Sequence, residues 1–195
     1  MSHNIYQTEG FVIKSFNFGE ANRFFYFFTK DFGLLQASAQ GIREAKSKLR
    51  YSLQDFSYTK LDLVRGRNVW RVINAERSNH LNGVLENKHQ AIFLAKIFNL
   101  LHRLLQGEDK NSLLFEDVSQ SVIFLNKEDL NSSQLLSLEV ATVLRILNHL
   151  GYWGRDEQLN HLAEGEINHI LLEEVSKNMS KVLRGINESL KESQL

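Results

Sequence analysis

Apolar positions in the first 80 residues come in short runs separated by glycines. Runs at 5–13, 23–29, 34–39, 56–64 and 68–73, all but 34–39 rich in β-branched and aromatic residues, predict five strands. Gly19, Gly33 and Gly66 stand between them, each where a hairpin turn calls for positive φ. The consecutive aromatics Phe24, Phe25, Tyr26, Phe27 and Phe28 are apolar on both strand faces. One face must therefore meet a core and the other something apolar or stackable. Five strands in about 75 residues are too many and too short for βαβ units, and they predict a small barrel such as an OB-fold.

After residue 80 the apolar period becomes three and four. Ile92, Ala95, Phe98, Leu101, Leu104 and Leu105 form one stripe of an amphipathic helix. Further helices are predicted at 113–126, 132–150 and 166–189. Asn131, Ser132 and Ser133 offer N-caps, and Gly151 stands just past a helix end. The polar residues 187–195 are expected to fray. The predicted fold class is α+β: an N-terminal OB-fold β-barrel over 1–80, followed by an all-helical domain over 81–195.

Composition narrows the chemistry. The 195 residues are 43% hydrophobic and 24% charged, enough apolar content for a core. Cysteine is absent, which excludes disulfides, thiolate zinc sites, iron–sulfur clusters and cysteine nucleophiles. The longest stretch without a charged residue, 32–42, falls far short of the roughly 18 apolar residues of a membrane span. Met1, Ser2, His3 and Asn4 begin no secretory signal, so a cytoplasmic location and no membrane partner are expected. The net charge of zero hides an asymmetry. Residues 1–80 hold 12 Lys and Arg against 7 Asp and Glu, and the remainder holds 11 against 16. A basic half joined to an acidic half predicts that the first half meets a polyanion.

The densest basic segment, residues 41–50, carries Arg43, Lys46, Lys48 and Arg50 against the single acid Glu44. It is expected to form a flexible or short helical arm between two strands, with Arg43, Lys46 and Arg50 on one helical face. Such cations can contact successive phosphates and release condensed counterions. Lys60, Arg65, Arg67 and Arg71 extend the charge into the next hairpin. Phe56, Tyr58 and Trp70 lie among them as candidate platforms for unpaired bases. The histidines His149, His161 and His169 lack metal-site spacing, and no phosphate-loop or nucleophile-elbow motif occurs. The carboxylate pairs Glu108-Asp109, Glu116-Asp117 and Glu173-Glu174 are read as solvated. No catalytic residue, metal or cofactor is expected.

Several blocks together resemble the bacterial recombination mediator RecO family: Gly10-Phe11-Val12-Ile13-Lys14-Ser15, Phe18-Gly19-Glu20-Ala21-Asn22-Arg23, Phe28-Thr29-Lys30-Asp31-Phe32-Gly33, Gly41-Ile42-Arg43-Glu44-Ala45-Lys46-Ser47 and Leu53-Gln54-Asp55-Phe56. Leu147-Asn148-His149-Leu150-Gly151-Tyr152 is similar to a further family segment. The resemblance implies an OB-fold that binds single- and double-stranded DNA, a helical domain and strand annealing. It also implies help in loading RecA onto DNA coated by single-strand binding protein (SSB), with RecR as partner. Asn22 and Gln40 depart from the family's usual Asp and Lys, and the four-cysteine zinc module of many members is missing. For the SSB C-terminal tail that the resemblance implies, Lys96 and Arg103 on one helix face, beside Ile92, Phe93 and Leu100, are the candidate contacts. The competing class is a non-catalytic adaptor whose barrel contacts an acidic protein instead of DNA. No recognition-helix signal favours a sequence-specific regulator.

Overall fold

The computed structural model describes residues 4–67, 69–78, 87–154 and 158–192. Five strands close into a barrel: β1 (Ile5–Phe18), β2 (Asn22–Thr29), β3 (Gly33–Ala39), β4 (Tyr58–Arg65) and β5 (Trp70–Arg77). Their order is β1-β2-β3-β5-β4, and β4 returns to pair with β1. All neighbours are antiparallel except β3 and β5, joined in parallel through Ala37 opposite Trp70 and Ser38 opposite Arg71. β1 is long because it serves two partners. Ile5 to Phe11 pair with β4, and Gly10 to Phe18 pair with β2 across an irregularity between Val12 and Lys14. The fold is the predicted OB-type barrel followed by helices.

The run of aromatics is explained by two cores. Phe25 and Phe27 point into the barrel with Val12, Leu35, Leu61, Leu63, Trp70 and Val72. Phe28 points outward with Phe11, Ile13 and Leu34 into a second cluster shared with the helices. The helical layer is thus the apolar partner that the other strand face required.

The helices are α2 (Lys88–Leu104), α3 (Ser112–Lys127), α4 (Ser132–His149), α5 (His169–Lys177) and α6 (Met179–Glu192), with a 3₁₀ turn at Asn160–Ala163. The arm between β3 and β4 contributes the single-turn α1 (Leu49–Ser52). Asn131 closes a capping box with Gln134 at the start of α4, and Gly151 beyond its end has φ 74°. Where one helix was expected over 166–189 there are two. Asn178 ends α5, and its carbonyl accepts the Lys181 and Val182 N–H groups that open α6. No glycine or proline marks that break, and the apolar period runs through it. Residues 187–192 belong to α6, with Ser189 buried, so the expected fraying does not begin at 187. Residues 193–195, the start of the fifth predicted strand at Asn68, and the expected boundary at 80/81 lie outside the described residues.

Gly19 and Gly33 have the expected positive φ, 60° and 65°. Gly66 does not. Its constraint is space, since a Cβ there would lie 2.3 Å from the Val69 carbonyl oxygen. Among the described residues no helix is long and apolar enough to cross a membrane.

Candidate nucleic-acid interface

The arm leaves β3 through a series of turns, not a continuous helix, because Ile42 and Leu53 are drawn into the barrel core and pin it at both ends. The arm is further tied to the turn between β1 and β2. Arg43 N–H donates to the Ala21 carbonyl at 3.0 Å, its Nη1 donates to the Gly19 carbonyl at 3.1 Å, and the Asn22 side chain accepts from Gly41 N–H at 2.9 Å. Arg43, Lys46, Lys48 and Arg50 are all exposed. The expected single helical face for Arg43, Lys46 and Arg50 does not exist, since only residues 49–52 are helical. Arg43 and Arg50 are nevertheless brought together, on one cleft with Arg23 and Asn17.

The remaining cations lie on β4, β5 and the turn between them. The arm leads into the start of β4, whereas Arg65 and Arg67 lie at its far end, in the turn to β5. Eight residues of β4 separate the arm's exit from Arg65, but Arg71 lies opposite Ser38, one residue before β3 ends and the arm begins. Arg65 lies beside the loop joining α2 to α3, 3.9 Å from a Glu108 carboxylate oxygen and 5.4 Å from the Trp70 ring centroid. Lys60 and Arg71 are exposed on β4 and β5, Lys60 facing Glu9 and Glu76 across the sheet. Arg71 thus lies beside the root of the arm, while Lys60 is set among carboxylates.

The three aromatics taken as base platforms are packed into the protein. Trp70 is 3% exposed, lies edge-on to Tyr6 and donates through Nε1 to Glu108 Oε1 at 2.8 Å. Phe56, at φ 68°, is half-buried against Phe98. Tyr58 lies edge-on to Phe11 between barrel and helices, and burial beside Glu9 pushes its phenol pKa well above the usual range. Burial withdraws Trp70 from stacking, and Phe56 and Tyr58 cement the two layers.

The rings that do face solvent are others. Phe16 and Phe18 are 41% and 56% exposed and flank Phe24 at centroid distances of 5.5 and 4.9 Å. Tyr51 on α1 is 70% exposed, next to Arg50. The expected strand ended at residue 13, within the irregularity after which Phe16 and Phe18 take this face. Only the alternation of Phe16, Phe18 and Lys14 hinted at it.

On α2, Lys96 binds both Glu139 carboxylate oxygens at 2.9 Å, and Phe93 is in the core at 1% exposure. The expected apolar-walled pocket for an acidic tail is reduced to exposed Arg103, exposed Ile92 and half-buried Leu100. The expected solvation of Asp117 also fails. It accepts from the buried Arg145 at 2.9 Å and lies 2.6 Å from His149 Nε2. His161 pairs with Glu174 and His169 with Glu128, and no group of three or more potential metal ligands is gathered among the described residues.

A five-stranded OB-fold barrel, cationic and aromatic at one end and packed on a helical layer along its outer face, defines the class of protein. Residues 1–79 match the family described as Recombination protein O N terminal. Similar relatives carry the name DNA repair protein RecO. That of Alkaliphilus metalliredigens is 28% identical over 139 residues, 71% of this chain and 53% of its own length. That of Thermodesulfovibrio yellowstonii is 28% identical over 148 residues, 75% of this chain and 58% of its own length. That of Rubrobacter xylanophilus is 32% identical over 103 residues, 53% of this chain and 42% of its own length. These matches support the RecO family, in line with the sequence blocks. The chain spans about half the length of the curated relatives it matches.

Proposed function

We propose that this protein is a non-catalytic DNA-binding mediator of recombinational repair, which grips single- and double-stranded DNA at the arm end of its barrel. The observation that carries this reading is the set of four exposed cations on a tethered arm, joined by Arg23 and flanked by the exposed rings of Phe16, Phe18 and Tyr51. Cations neutralise phosphates without regard to sequence, and exposed rings stack on unpaired bases. A surface that lowers the repulsion between two strands while leaving bases free to pair promotes annealing without an active site. The relatives' name, DNA repair protein, supports the same reading. Arg65, Arg67 and Arg71 supply a second, weaker contact around the β4–β5 turn. We assign DNA to the barrel over 1–80 and protein partners to the helical region over 81–195. The partners are RecR, the SSB tail at Arg103, and RecA indirectly.

Gel shifts with unpaired and duplex oligonucleotides across a salt series test this. Replacing Arg43, Lys46, Lys48 and Arg50 together by Ala is expected to flatten the single-strand slope of log affinity against log salt by up to about 3, since each lost phosphate contact removes about 0.7. An unchanged slope in the folded variant would remove the arm from the site. Absence of binding by the parent at low salt would favour the adaptor class.

A further inference from the structure

The hairpin of β1 and β2 runs past the point where β1 leaves β4, and its inner face meets the underside of the arm. Between them lies a cleft of about 350 Å³, lined by Asn17, Arg23, Ile42, Arg43 and Arg50. Among the described residues, three guanidinium groups line it and no carboxylate does. Arg43 and Arg50 come from the arm, whereas Arg23 belongs to β2, and nothing in the sequence pattern marked it as a site residue.

Arg23 is held in place yet incompletely satisfied. Its Nη2 donates to Ser15 Oγ at 2.5 Å, and Ser15 in turn donates to Asp55 at 2.5 Å. Its guanidinium stands 5.5 Å from the ring centroid of Phe25, which is fully buried. Its Nε is out of contact with solvent and has no hydrogen-bond partner among the described residues. A buried donor without an acceptor is costly, more so on a charged group, and three like charges around one cleft repel one another. An oxyanion entering the cleft neutralises the repulsion among its three guanidinium groups. The guanidinium fork suits a tetrahedral phosphate, and the apolar floor under Arg23 strengthens each contact. At about 30 Å³ for each water, the volume takes one such group with several waters.

We propose that this cleft seats a single phosphate group, with Arg23 as its inner ligand and Arg43 and Arg50 closing over it. Its source is an internal phosphodiester of a bound DNA strand, which rests on the DNA reading above, or free phosphate, which does not. The cleft then fixes the position of one phosphate, whereas Lys46 and Lys48 contribute charge without fixed geometry.

The test follows the Arg23 Nε–Hε NMR signal in the ¹⁵N-labelled full chain, assigned through its own side-chain carbons. One arm titrates inorganic phosphate against chloride at equal ionic strength, and the other titrates an oligothymidylate lacking terminal phosphates. A saturable shift with either probe is the expected result, and the probe that produces it identifies the source. Arg50→Gln, on an exposed turn outside the core, is expected to weaken that saturation about tenfold. Arg23→Lys keeps the charge but removes the planar guanidinium fork and should weaken it at least as much. An oligonucleotide that binds while the Arg23 signal stays still with both probes overturns the cleft and leaves DNA binding standing. If no oligonucleotide binds but phosphate moves the signal, the cleft stands and the DNA reading falls. Silence in both titrations with no oligonucleotide bound overturns both.

Discussion

Trp70 Nε1 donates to Glu108 Oε1 at 2.8 Å, so the first residue of β5 and the loop between α2 and α3 share one hydrogen bond across the junction of barrel and helices. Beside it, a Cβ on Gly33 would lie 2.1 Å from the Asp109 carbonyl oxygen, and Leu34 N–H donates to the Gly107 carbonyl at 3.2 Å. Lys110 pairs with Asp31 at 3.3 Å on the same seam. The helical loop thus docks backbone to backbone on the β2–β3 turn.

Three substitutions follow from this seam. Glu108→Ala strands the indole N–H of a 3%-exposed tryptophan and should lower stability by about 1–3 kcal/mol, whereas Glu108→Gln keeps an acceptor and should recover most of it. Gly33→Ala meets both a left-handed φ of 65° and the Asp109 backbone and should cost about 2 kcal/mol or more. Urea unfolding of the four proteins checks the order. Equal midpoints for the Ala and Gln variants at 108 would show that the bond contributes nothing.

The same seam shows what a sequence can display. Strand existence and the change of period near residue 80 are local and were legible, as were the Asn131 cap and the positive φ at Gly19 and Gly33. Register was not. An irregularity between Val12 and Lys14 changes which side chains share a face, and no local pattern announces it, so Phe16 and Phe18 were missed. Trp70 was misplaced because amphipathic aromatics suit either a core or a binding surface, and its partner Glu108 lies 38 residues away. Exposed cations are read easily from composition. That Arg23 joins Arg43 and Arg50 depends on how the arm folds back over the hairpin, which no spacing encodes.

A buried ionic cluster ties α3, α4 and the turn before α5 together. Arg145, 1% exposed, donates to Asp117 and to the Glu164 carbonyl, both at 2.9 Å, and Asp117 also engages His149. Removing one member of such a pair is severe when the other is left buried and unpaired. Asp117→Ala leaves Arg145 with one carbonyl and should cost about 3–5 kcal/mol. Arg145→Met should cost less, because Asp117 is partly exposed and keeps His149. Thermal and urea unfolding of the two variants test the ranking, and the reverse order would mean that Arg145 is stabilised by its carbonyl contact and packing instead.

His102 lies edge-on to Tyr26 at 4.6 Å, under the barrel's outer face. Burial, followed by the nearby charge of Lys14, holds its pKa below the ordinary histidine value. Protonation therefore favours the unfolded chain. The stability that neutral His102 confers is complete above about pH 6.5 and is lost as pH falls through the lower folded value. An NMR titration of His102 should give a midpoint below 6.5, and Lys14→Met should raise it part of the way. A midpoint unmoved by that change would leave burial as the whole cause.

Phe16 and Phe18 allow base contacts to be separated from phosphate contacts. Both are roughly half exposed and pack on Phe24, so replacing both by Ala should lower the unfolding midpoint while leaving the two cores intact. Each ring that carries a base is worth about 1–3 kcal/mol, so affinity for an unpaired oligonucleotide should fall roughly tenfold or more. Stacking releases no phosphate counterions, so the slope of log affinity against log salt should stay that of the parent. Duplex binding should also be spared, because its bases are already stacked on one another. The arm variant has the opposite signature, a flatter slope with both kinds of DNA. Fluorescence anisotropy with unpaired and duplex probes at four salt concentrations distinguishes the two patterns. A Phe16→Ala/Phe18→Ala protein that loses duplex and single-strand binding equally would show that these rings support the hairpin and do not touch bases.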